Sequence, residues 1–328
     1  MSTTDRLDSI TFGVLQPRAY AGEEAPRMLE EALGHVAEAG RLGVDLLVFP
    51  ETYPGPTTHE VRYDVIGPLS SAAVESGVGL VVGTTEKVPD GGERTYYVSA
   101  VVIDADGSVV GTYRRTHPRS EVYAGIFGNG PFWGIDYQAA DELPVFDMGW
   151  GVLGVSICSE VFIPEVARSM ALSGAEVCAF PTGVLIDDFG FTDNWRAMVR
   201  ARAIENLMYT ATTMNLFPDE MRQAACRGEL TASDPETGLN RGHAMIVGPE
   251  SVLATSHRPG ILTAELDLAR LRRMRTEPEF PEGVVIPPPF ATLPSVHRLR
   301  RPEVVDVVVT GAKSEAPEPE PAPVLSAV

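Results

Sequence analysis

The stretch VLGVSICSE, residues 152–160, decides how the rest of the chain is interpreted. Its apolar part, residues 152–157, is typical of a strand that is buried on both faces of a sheet. Cys158 stands where this run ends, and the polar pair Ser159–Glu160 follows it. Because ligands of open α/β sheets bind at the carboxyl ends of strands, this pattern predicts a thiol displayed at a sheet edge.

Two further strand-like runs end in charged residues. The run DLLVFP, residues 45–50, is followed by Glu51, and the run VVGTYR, residues 109–114, is followed by Arg115. A carboxylate, a guanidinium and a thiol are the components of a nucleophilic acyl-transfer site, because a thiol needs a neighbouring base to become a strong nucleophile. The three strand ends therefore predict one catalytic site.

Strand and helix patterns alternate along the chain. Helices are predicted at residues 23–42, 164–173 and 192–206, where apolar residues recur at helical spacing. Strands are predicted at residues 10–16, 44–49, 79–84, 97–103, 109–114, near 145, 152–157, 177–180, 209–214, 243–247, 252–255 and 261–266. Alternating strands and helices, mixed with hairpins, predict an α/β domain with a mixed sheet and helices outside it.

Composition excludes several classes of partner. The chain has 328 residues and a net charge of −19, which would repel nucleic acid and anionic membrane surfaces. It has no apolar run of the roughly eighteen residues that a membrane span requires, and its polar N-terminus does not read as a secretory signal. Three cysteines without motif spacing suit a reducing compartment, so a cytoplasmic location is predicted.

Metal and nucleotide chemistry have little support in the sequence. The six histidines are scattered, and no pair stands at ligand spacing. The short glycine-rich stretch Gly128-Asn129-Gly130 lacks the strand–loop–helix context that a nucleotide site needs. The expectation is an enzyme without a cofactor or a metal.

These segments resemble the nitrilase, or carbon–nitrogen hydrolase, superfamily. The matching motifs occur in family order from about residue 10 to residue 267: LVFPE (47–51), GTYRRTH (111–117), GVSIC (154–158), PE (164–165) with Arg168, GAE (174–176) before Pro181, Trp195 with ARAIEN (201–206), and GHA (242–244) before Pro249. Several independent motifs in one order make the resemblance specific.

The resemblance implies an α-β-β-α sandwich with mixed sheets. It also implies a homodimer, or a higher homo-oligomer, in which two sandwiches form an eight-layer body. The predicted organisation is a flexible N-terminus (1–8), a carbon–nitrogen hydrolase domain (9–290), a C-terminal arm (291–313) and a disordered Pro/Glu-rich tail (314–328).

The family site implied by the resemblance is a Glu–Lys–Glu–Cys set that attacks an amide or nitrile carbon. In this chain Glu51 takes the position of the general base, Cys158 that of the nucleophile and Glu121 that of the second glutamate. A partly desolvated glutamate is suited to take the thiol proton and pass it to a leaving amine. Residues expected to contact the small amide or nitrile substrate are Ser159, Glu160 and Thr182.

The chain departs from the family at the lysine, whose position is occupied by Arg115. The only lysines are Lys87 and Lys313, of which Lys87 is the alternative cation. Arginine keeps the positive charge, but it is bulkier and cannot shuttle a proton. The pair Ser159–Glu160 also differs from the aromatic–acidic pair that is common after the family's cysteine.

Three functions are compatible with these residues. The first is a hydrolase of an amide, carbamoyl or nitrile carbon–nitrogen bond that acts through a Cys158 thioester. The second is an acyl transferase, or an amide-forming enzyme, that delivers the same thioester to an amine. The third is a catalytically weak binding or assembly homologue, which the replacement of the family lysine by Arg115 would explain.

Overall fold

The computed structural model describes residues 6–20, 22–56, 61–118, 136–183, 191–218, 236, 238–239 and 242–276. The strands in these residues are β1 Ser9–Gln16, β2 Leu46–Val48, β3 Gly79–Lys87, β4 Thr95–Ile103, β5 Val109–Arg114, β6 Asp136–Tyr137, β7 Val145–Asp147, β8 Val152–Val155, β9 Val177–Thr182, β10 Tyr209–Met214, β11 Ala244–Val247, β12 Val252–Ser256 and β13 Gly260–Asp267. The helices are α1 Arg27–Arg41, α2 Ile66–Ser76, α3 Pro164–Leu172, α4 Phe191–Asn206 and α5 Leu268–Thr276, with short 3-10 helices at Gly22–Glu24 and Cys158–Phe162.

The strands form two mixed sheets. The first has the order β13-β1-β2-β3-β4-β5 with β6 beside β4, and the second has the order β12-β11-β10-β9-β8-β7. Each sheet has a parallel centre, β1-β2-β3 in the first and β10-β9-β8 in the second. Since β4 is antiparallel to both β3 and β5, the carboxyl end of β5 lies at the same edge as those of β2 and β3.

Apolar side chains place the two sheets face to face with helices outside. The main core combines residues of both sheets, such as Phe12, Val14 and Leu46 of the first and Leu153 and Ala211 of the second. On the other face of the first sheet, α1 and α2 bury Met28, Ala32, Val36, Leu69 and Ala73. The second sheet is covered by α3 and α4 through Met170, Trp195 and Val199. The predicted α/β sandwich with mixed sheets is confirmed.

Several boundaries differ from the sequence prediction. The first helix begins at Arg27 rather than at residue 23, because Gly22–Glu24 form a separate 3-10 turn and Pro26 precedes the helix. The second strand is limited to Leu46–Val48. Two helices, α2 and α5, and the two-residue strand β6 were not predicted. None of the helices in the described part of the chain is long and apolar enough to cross a membrane. The predicted C-terminal arm and tail lie outside the described residues.

Candidate active site

Three strand ends bring the candidate catalytic side chains together. Glu51 lies just beyond β2, Arg115 directly follows β5, and Cys158 opens the 3-10 helix after β8. All three are buried, with 6%, 1% and 4% of their surfaces exposed, respectively. The first two come from one sheet and the third from the other, so the site lies where the two sheets meet.

The side chain of Glu51 is held from both sheets. Arg115 Nη1 donates to Glu51 Oε1 at 2.8 Å, and the Gly183 N–H, just after β9, donates to Oε2 at 2.9 Å. The main-chain oxygen of Glu51 accepts a hydrogen bond of 2.9 Å from Asn215 Nδ2, just after β10. These contacts fix the direction of the carboxylate before any substrate arrives.

Cys158 occupies a strained turn beside that carboxylate. Its φ of +54° lies in the left-handed region, which costs a residue other than glycine about 1–2 kcal/mol and marks positions that the surrounding structure fixes. Burial first, and then the negative charge of Glu51, raise the pKa of the thiol to about 12, although the charge of Arg115 opposes this effect. The thiol is therefore protonated at neutral pH, and its hydrogen bond with the Glu51 carboxylate provides a proton acceptor.

Arg115 bridges the base and the residue after the nucleophile. While Nη1 contacts Glu51, Nη2 donates to Ser159 Oγ at 2.5 Å. The main chain of Arg115 is also fixed, since its N–H donates to Val98 O at 2.9 Å and its carbonyl accepts from Ala140 N at 3.1 Å. The guanidinium is thus held between the Glu51 carboxylate and the Ser159 hydroxyl.

Two residues predicted to contact substrate make hydrogen bonds within the protein. The buried Thr182 hydroxyl donates to Phe180 O at 3.1 Å and lies 3.2 Å from Thr212 Oγ1. The Glu160 carboxylate is fully buried and contacts the loop that carries Arg115. Their predicted contact with substrate stays a prediction, as does the role of Glu121, which lies outside the described residues.

Three neighbours of the site were missed by sequence reasoning. Gly183 and Asn215 follow strands β9 and β10, so applying the strand-end rule to those strands would have found both. Tyr137 lies on β6, and burial, followed by the charge of Glu51, raises its pKa, while Arg115 lowers it. No sequence pattern marked Tyr137 as a neighbour of Glu51 and Arg115, because a strand of two residues such as β6 has no recognisable pattern.

The competing residues lie elsewhere or have other surroundings. Lys87 is exposed at the end of β3, where it pairs with Tyr96. Cys178 is buried inside β9, with its thiol 3.8 Å from Met170 Sδ. Cys226 and Lys313 lie outside the described residues. In the part of the chain that the structure describes, no group of three or more His, Cys, Asp or Glu side chains could hold a metal ion.

A buried thiol, a carboxylate and a guanidinium meet at one edge of the α-β-β-α sandwich, which is the set of side chains that the sequence predicted for an acyl-transfer site. The family model described as carbon-nitrogen hydrolase matches residues 13–276, most of the chain. The chain therefore belongs to the carbon-nitrogen hydrolase family, as the sequence motifs predicted, and it is an enzyme of that family.

Known proteins agree with this assignment. The deaminated glutathione amidase of Rattus norvegicus is 31% identical over 259 residues, which cover 73% of this chain and 72% of that protein. The crystal structure of a carbon-nitrogen hydrolase from Helicobacter pylori G27 has a TM-score of 0.71 and 23% identity, covering 92% of this chain and 98% of that one.

A third similar protein is a glutamate-to-glutamine mutant of the amidase from Nesterenkonia sp. AN1. Its structure has a TM-score of 0.60 and 21% identity, and the match covers 81% of this chain and 94% of that one. That structure shows covalent addition of the acetamide moiety of fluoroacetamide at the active-site cysteine. At this level of identity, the likeness concerns the fold.

Proposed function

We propose that this enzyme hydrolyses the non-peptide carbon–nitrogen bond of a small amide, carbamoyl compound or nitrile through a thioester on Cys158. The observation that carries the proposal is the thiol hydrogen-bonded to a carboxylate that Arg115 also contacts. Family membership supports the reaction class, and the rat relative is named as an amidase. Glu51, Arg115 and Cys158 all lie in the part of the chain that the structure describes, whereas Glu121 lies outside it.

In the first half of the reaction with an amide, Glu51 takes the proton of the Cys158 thiol as sulfur attacks the carbonyl carbon. The new C–S bond forms while the C=O electron pair moves onto oxygen, giving an oxyanion. The positive charge of Arg115 and main-chain N–H groups after Cys158 stabilise that charge. When the C–N bond breaks, Glu51 returns the proton to nitrogen, and an amine or ammonia leaves.

In the second half, water attacks the thioester carbon. Glu51 removes a proton from the water, the tetrahedral intermediate collapses, and the C–S bond breaks. The sulfur recovers its proton, which leaves a carboxylic acid and the free enzyme. Since a guanidinium stays protonated throughout, the proton steps are assigned to Glu51 and the electrostatic role to Arg115.

The ion pair of Arg115 with Glu51 supports catalysis over a purely assembling role for the chain. The guanidinium keeps a cation on the same carboxylate that contacts the thiol. A homologue that had lost catalysis would have no need to keep the buried thiol, its base and a cation in contact, because burying charged groups is costly.

Intact-mass spectrometry tests the proposal directly. The enzyme is mixed with a panel of small amides, carbamoyl compounds and nitriles, quenched in acid, and searched for an acyl mass increase that peptide mapping assigns to Cys158. Hydrolysis predicts an adduct that decays to free acid, whereas transfer to an added amine would identify the acyl-transferase alternative. Cys178→Ala is the matched control, and an adduct that forms equally well in Cys158→Ala would refute the mechanism.

We also propose a cytoplasmic homodimer in which two sandwiches form an eight-layer body. Family membership supports the assembly, and the low number of cysteines supports the reducing location. Light scattering of the purified full chain would give the mass of one chain, instead of two or more, if the assembly proposal is wrong.

A further inference from the structure

A fully buried carboxylate lies two residues beyond the nucleophile. Glu160 has 0% of its surface exposed. Its Oε1 accepts three hydrogen bonds from the loop after β5: from Thr116 N at 2.8 Å, from Thr116 Oγ1 at 2.6 Å and from His117 N at 3.1 Å. Thr116 is the residue directly after Arg115, so Oε1 of Glu160 fixes the main chain on the C-terminal side of Arg115.

The other oxygen of Glu160 completes the connection. Oε2 accepts a hydrogen bond of 2.7 Å from the Tyr113 hydroxyl, two residues before Arg115. It also accepts a 2.7 Å bond from the Ile157 N–H, directly before Cys158. One carboxylate therefore binds the chain before and after Arg115, and also binds the residue directly before Cys158.

The origin of these donors distinguishes Glu160 from an ordinary buried acid. A buried carboxylate must be compensated by hydrogen bonds, and any set of nearby donors would meet that need. Here the donors come from two different sheets: four belong to the end of β5 and the loop after it, in the first sheet, and one belongs to the residues after β8, in the second. The carboxylate is thus a polar connection across the sandwich at the active-site edge, and charge-assisted bonds of this length are the strong kind.

We propose that Glu160 is a positioning residue that holds the Arg115 loop against the Cys158 turn, so that the guanidinium reaches both Glu51 and Ser159. The enclosure of its carboxylate by five protein donors favours this role over the contact with substrate predicted from the sequence. The inference rests on the proposed function, since it assigns a role within the same site.

The test is a double-mutant cycle that reports on Cys158 without the natural substrate. Iodoacetamide alkylates the thiol, and the rate constant at Cys158 is followed by intact mass with peptide mapping in four proteins: wild type, Glu160→Gln, Arg115→Ala and the double variant. If Glu160 acts through Arg115, Glu160→Gln slows alkylation about tenfold alone and less than about twofold in the Arg115→Ala background.

The sign of the effect separates positioning from simple electrostatics. Arg115 lowers the pKa of the Cys158 thiol, so displacing the guanidinium reduces the thiolate fraction and slows alkylation. Removing the negative charge of Glu160 with no movement of Arg115 would instead favour the thiolate and speed the reaction. An unchanged or faster Glu160→Gln, or an equal slowing in both backgrounds, would overturn the proposal.

Glu176→Gln is the matched control. Glu176 is also a buried carboxylate, but its contacts are with Arg6, Arg272 and the Val152 N–H, at the start of β8 rather than beyond its end. Its substitution is expected to lower the melting temperature and leave the alkylation rate within about twofold of wild type. A loss of rate equal to that of Glu160→Gln would show that any buried carboxylate of the second sheet has this effect, and would refute the positioning role.

Milder variants cover the case in which Glu160→Gln does not fold. Thr116→Val removes one donor to Oε1 and keeps the main-chain donor, while Tyr113→Phe removes one donor to Oε2. Each is expected to slow alkylation about twofold to fivefold, and only while Arg115 is present. Rates equal to wild type in both would reject the inference. A wild type whose Cys158 gives neither an acyl adduct nor alkylation would reject the proposed function itself.

Discussion

Two arginine–glutamate pairs lie at the two ends of β9 and differ in how the guanidinium meets the carboxylate. Near its start, Arg272 grips Glu176 with two nitrogens, Nε to Oε1 at 2.7 Å and Nη2 to Oε2 at 3.2 Å. Near its end, Arg115 uses Nη1 for Glu51 and Nη2 for Ser159. The first pair is a two-point clamp, and the second is a one-point contact.

The difference shows what makes one pair structural and the other suited to chemistry. Arg272 also donates to the main-chain oxygens of Leu7 and Trp150, both at 2.8 Å, so it ties three parts of the chain together. At the other end, Oε1 of Glu51 meets Arg115 Nη1, Oε2 accepts from the Gly183 N–H, and the carboxylate still hydrogen-bonds the thiol of Cys158. A base needs that remaining acceptor capacity, which a bidentate arginine would use up.

The largest expected effect is at the Cys158 thiol, which hydrogen-bonds Glu51 of the Arg115–Glu51 pair. Cys158→Ala should reduce turnover by a factor on the order of 10⁴ or more, because it removes the sulfur that carries the proposed acyl intermediate. Cys178→Ala should keep most activity, since that thiol packs against Met170 inside β9. Steady-state turnover of the two variants on an amide identified by the adduct screen provides the measurement. Comparable activity in the two variants would mean that Cys158 is not the nucleophile and that the Glu51 end of β9 is not the catalytic end.

Removing each arginine in turn tests the contrast itself. Arg115→Ala should cost on the order of 10²–10³ in rate, because it deletes an oxyanion partner. Arg115→Lys should retain or raise hydrolysis, since it restores the family's ammonium group. Arg272→Ala should leave the rate within about twofold but lower stability by about 2 kcal/mol, the loss expected for hydrogen bonds to a buried charged group. The measurements are turnover and denaturant unfolding of these three variants. A large loss of turnover in Arg272→Ala would show that the two arginines do not differ in role as proposed.

The third effect concerns the base. Glu51→Gln should slow acylation about a hundredfold or more, as the loss of a positioned acid–base group does. The same change should lower the pKa of Cys158, because burial and then the charge of Glu51 raise it to about 12. Titration of the thiolate by ultraviolet absorbance, in a Cys178→Ala background, should therefore show a midpoint at lower pH in the slower enzyme. A higher midpoint would mean that Glu51 does not act on the thiol.

The sequence predicted the parallel centres of the sheets better than their surroundings. Continuous apolar runs around Leu46–Val48 and Val152–Val155 identify buried strands, and the strand ends then identify polar residues at the same edge. The helix Ile66–Ser76 escaped detection because Gly67 and Pro68 stand in its first turn, where proline is tolerated but the pattern resembles a loop. The helix Leu268–Thr276 is short and arginine-rich, and only three buried residues mark its apolar side.

Hydrogen bonds across the sandwich could not be predicted, because sequence spacing does not report on them. Strand-end reasoning suggests that Glu51 and Arg115 share an edge with Cys158, but it does not show which oxygen meets which nitrogen. The role of Glu160 depends on Tyr113 and Thr116, more than 40 residues away in sequence. For such a pair, a contact with substrate and a contact with a neighbouring loop look alike in the sequence.

The smallest expected effect is at Ser159, the second partner of the active-site guanidinium. Ser159→Ala removes the acceptor of the 2.5 Å bond from Arg115 Nη2, while the bond from Nη1 to Glu51 remains. Because Ser159 is only partly buried, water can replace the lost acceptor, and the rate should fall about tenfold rather than by the full factor for Arg115→Ala. Ser159→Thr keeps the hydroxyl and serves as the control.

Comparing Ser159→Ala in the wild type and in Arg115→Lys shows whether the Ser159 hydroxyl acts through Arg115 or on the substrate. A lysine at position 115 has a single ammonium in place of the two-pronged guanidinium, so it cannot contact Glu51 and Ser159 with separate nitrogens. Ser159→Ala should therefore cost about tenfold in the wild type and less than about threefold in Arg115→Lys, when kcat/KM is measured on the same amide. An equal loss in both backgrounds would instead mean that the hydroxyl contacts the substrate, as the sequence predicted. The asymmetry of the Glu51–Arg115 pair would then be assigned to the contacts of Glu51 with the Gly183 N–H and the Cys158 thiol.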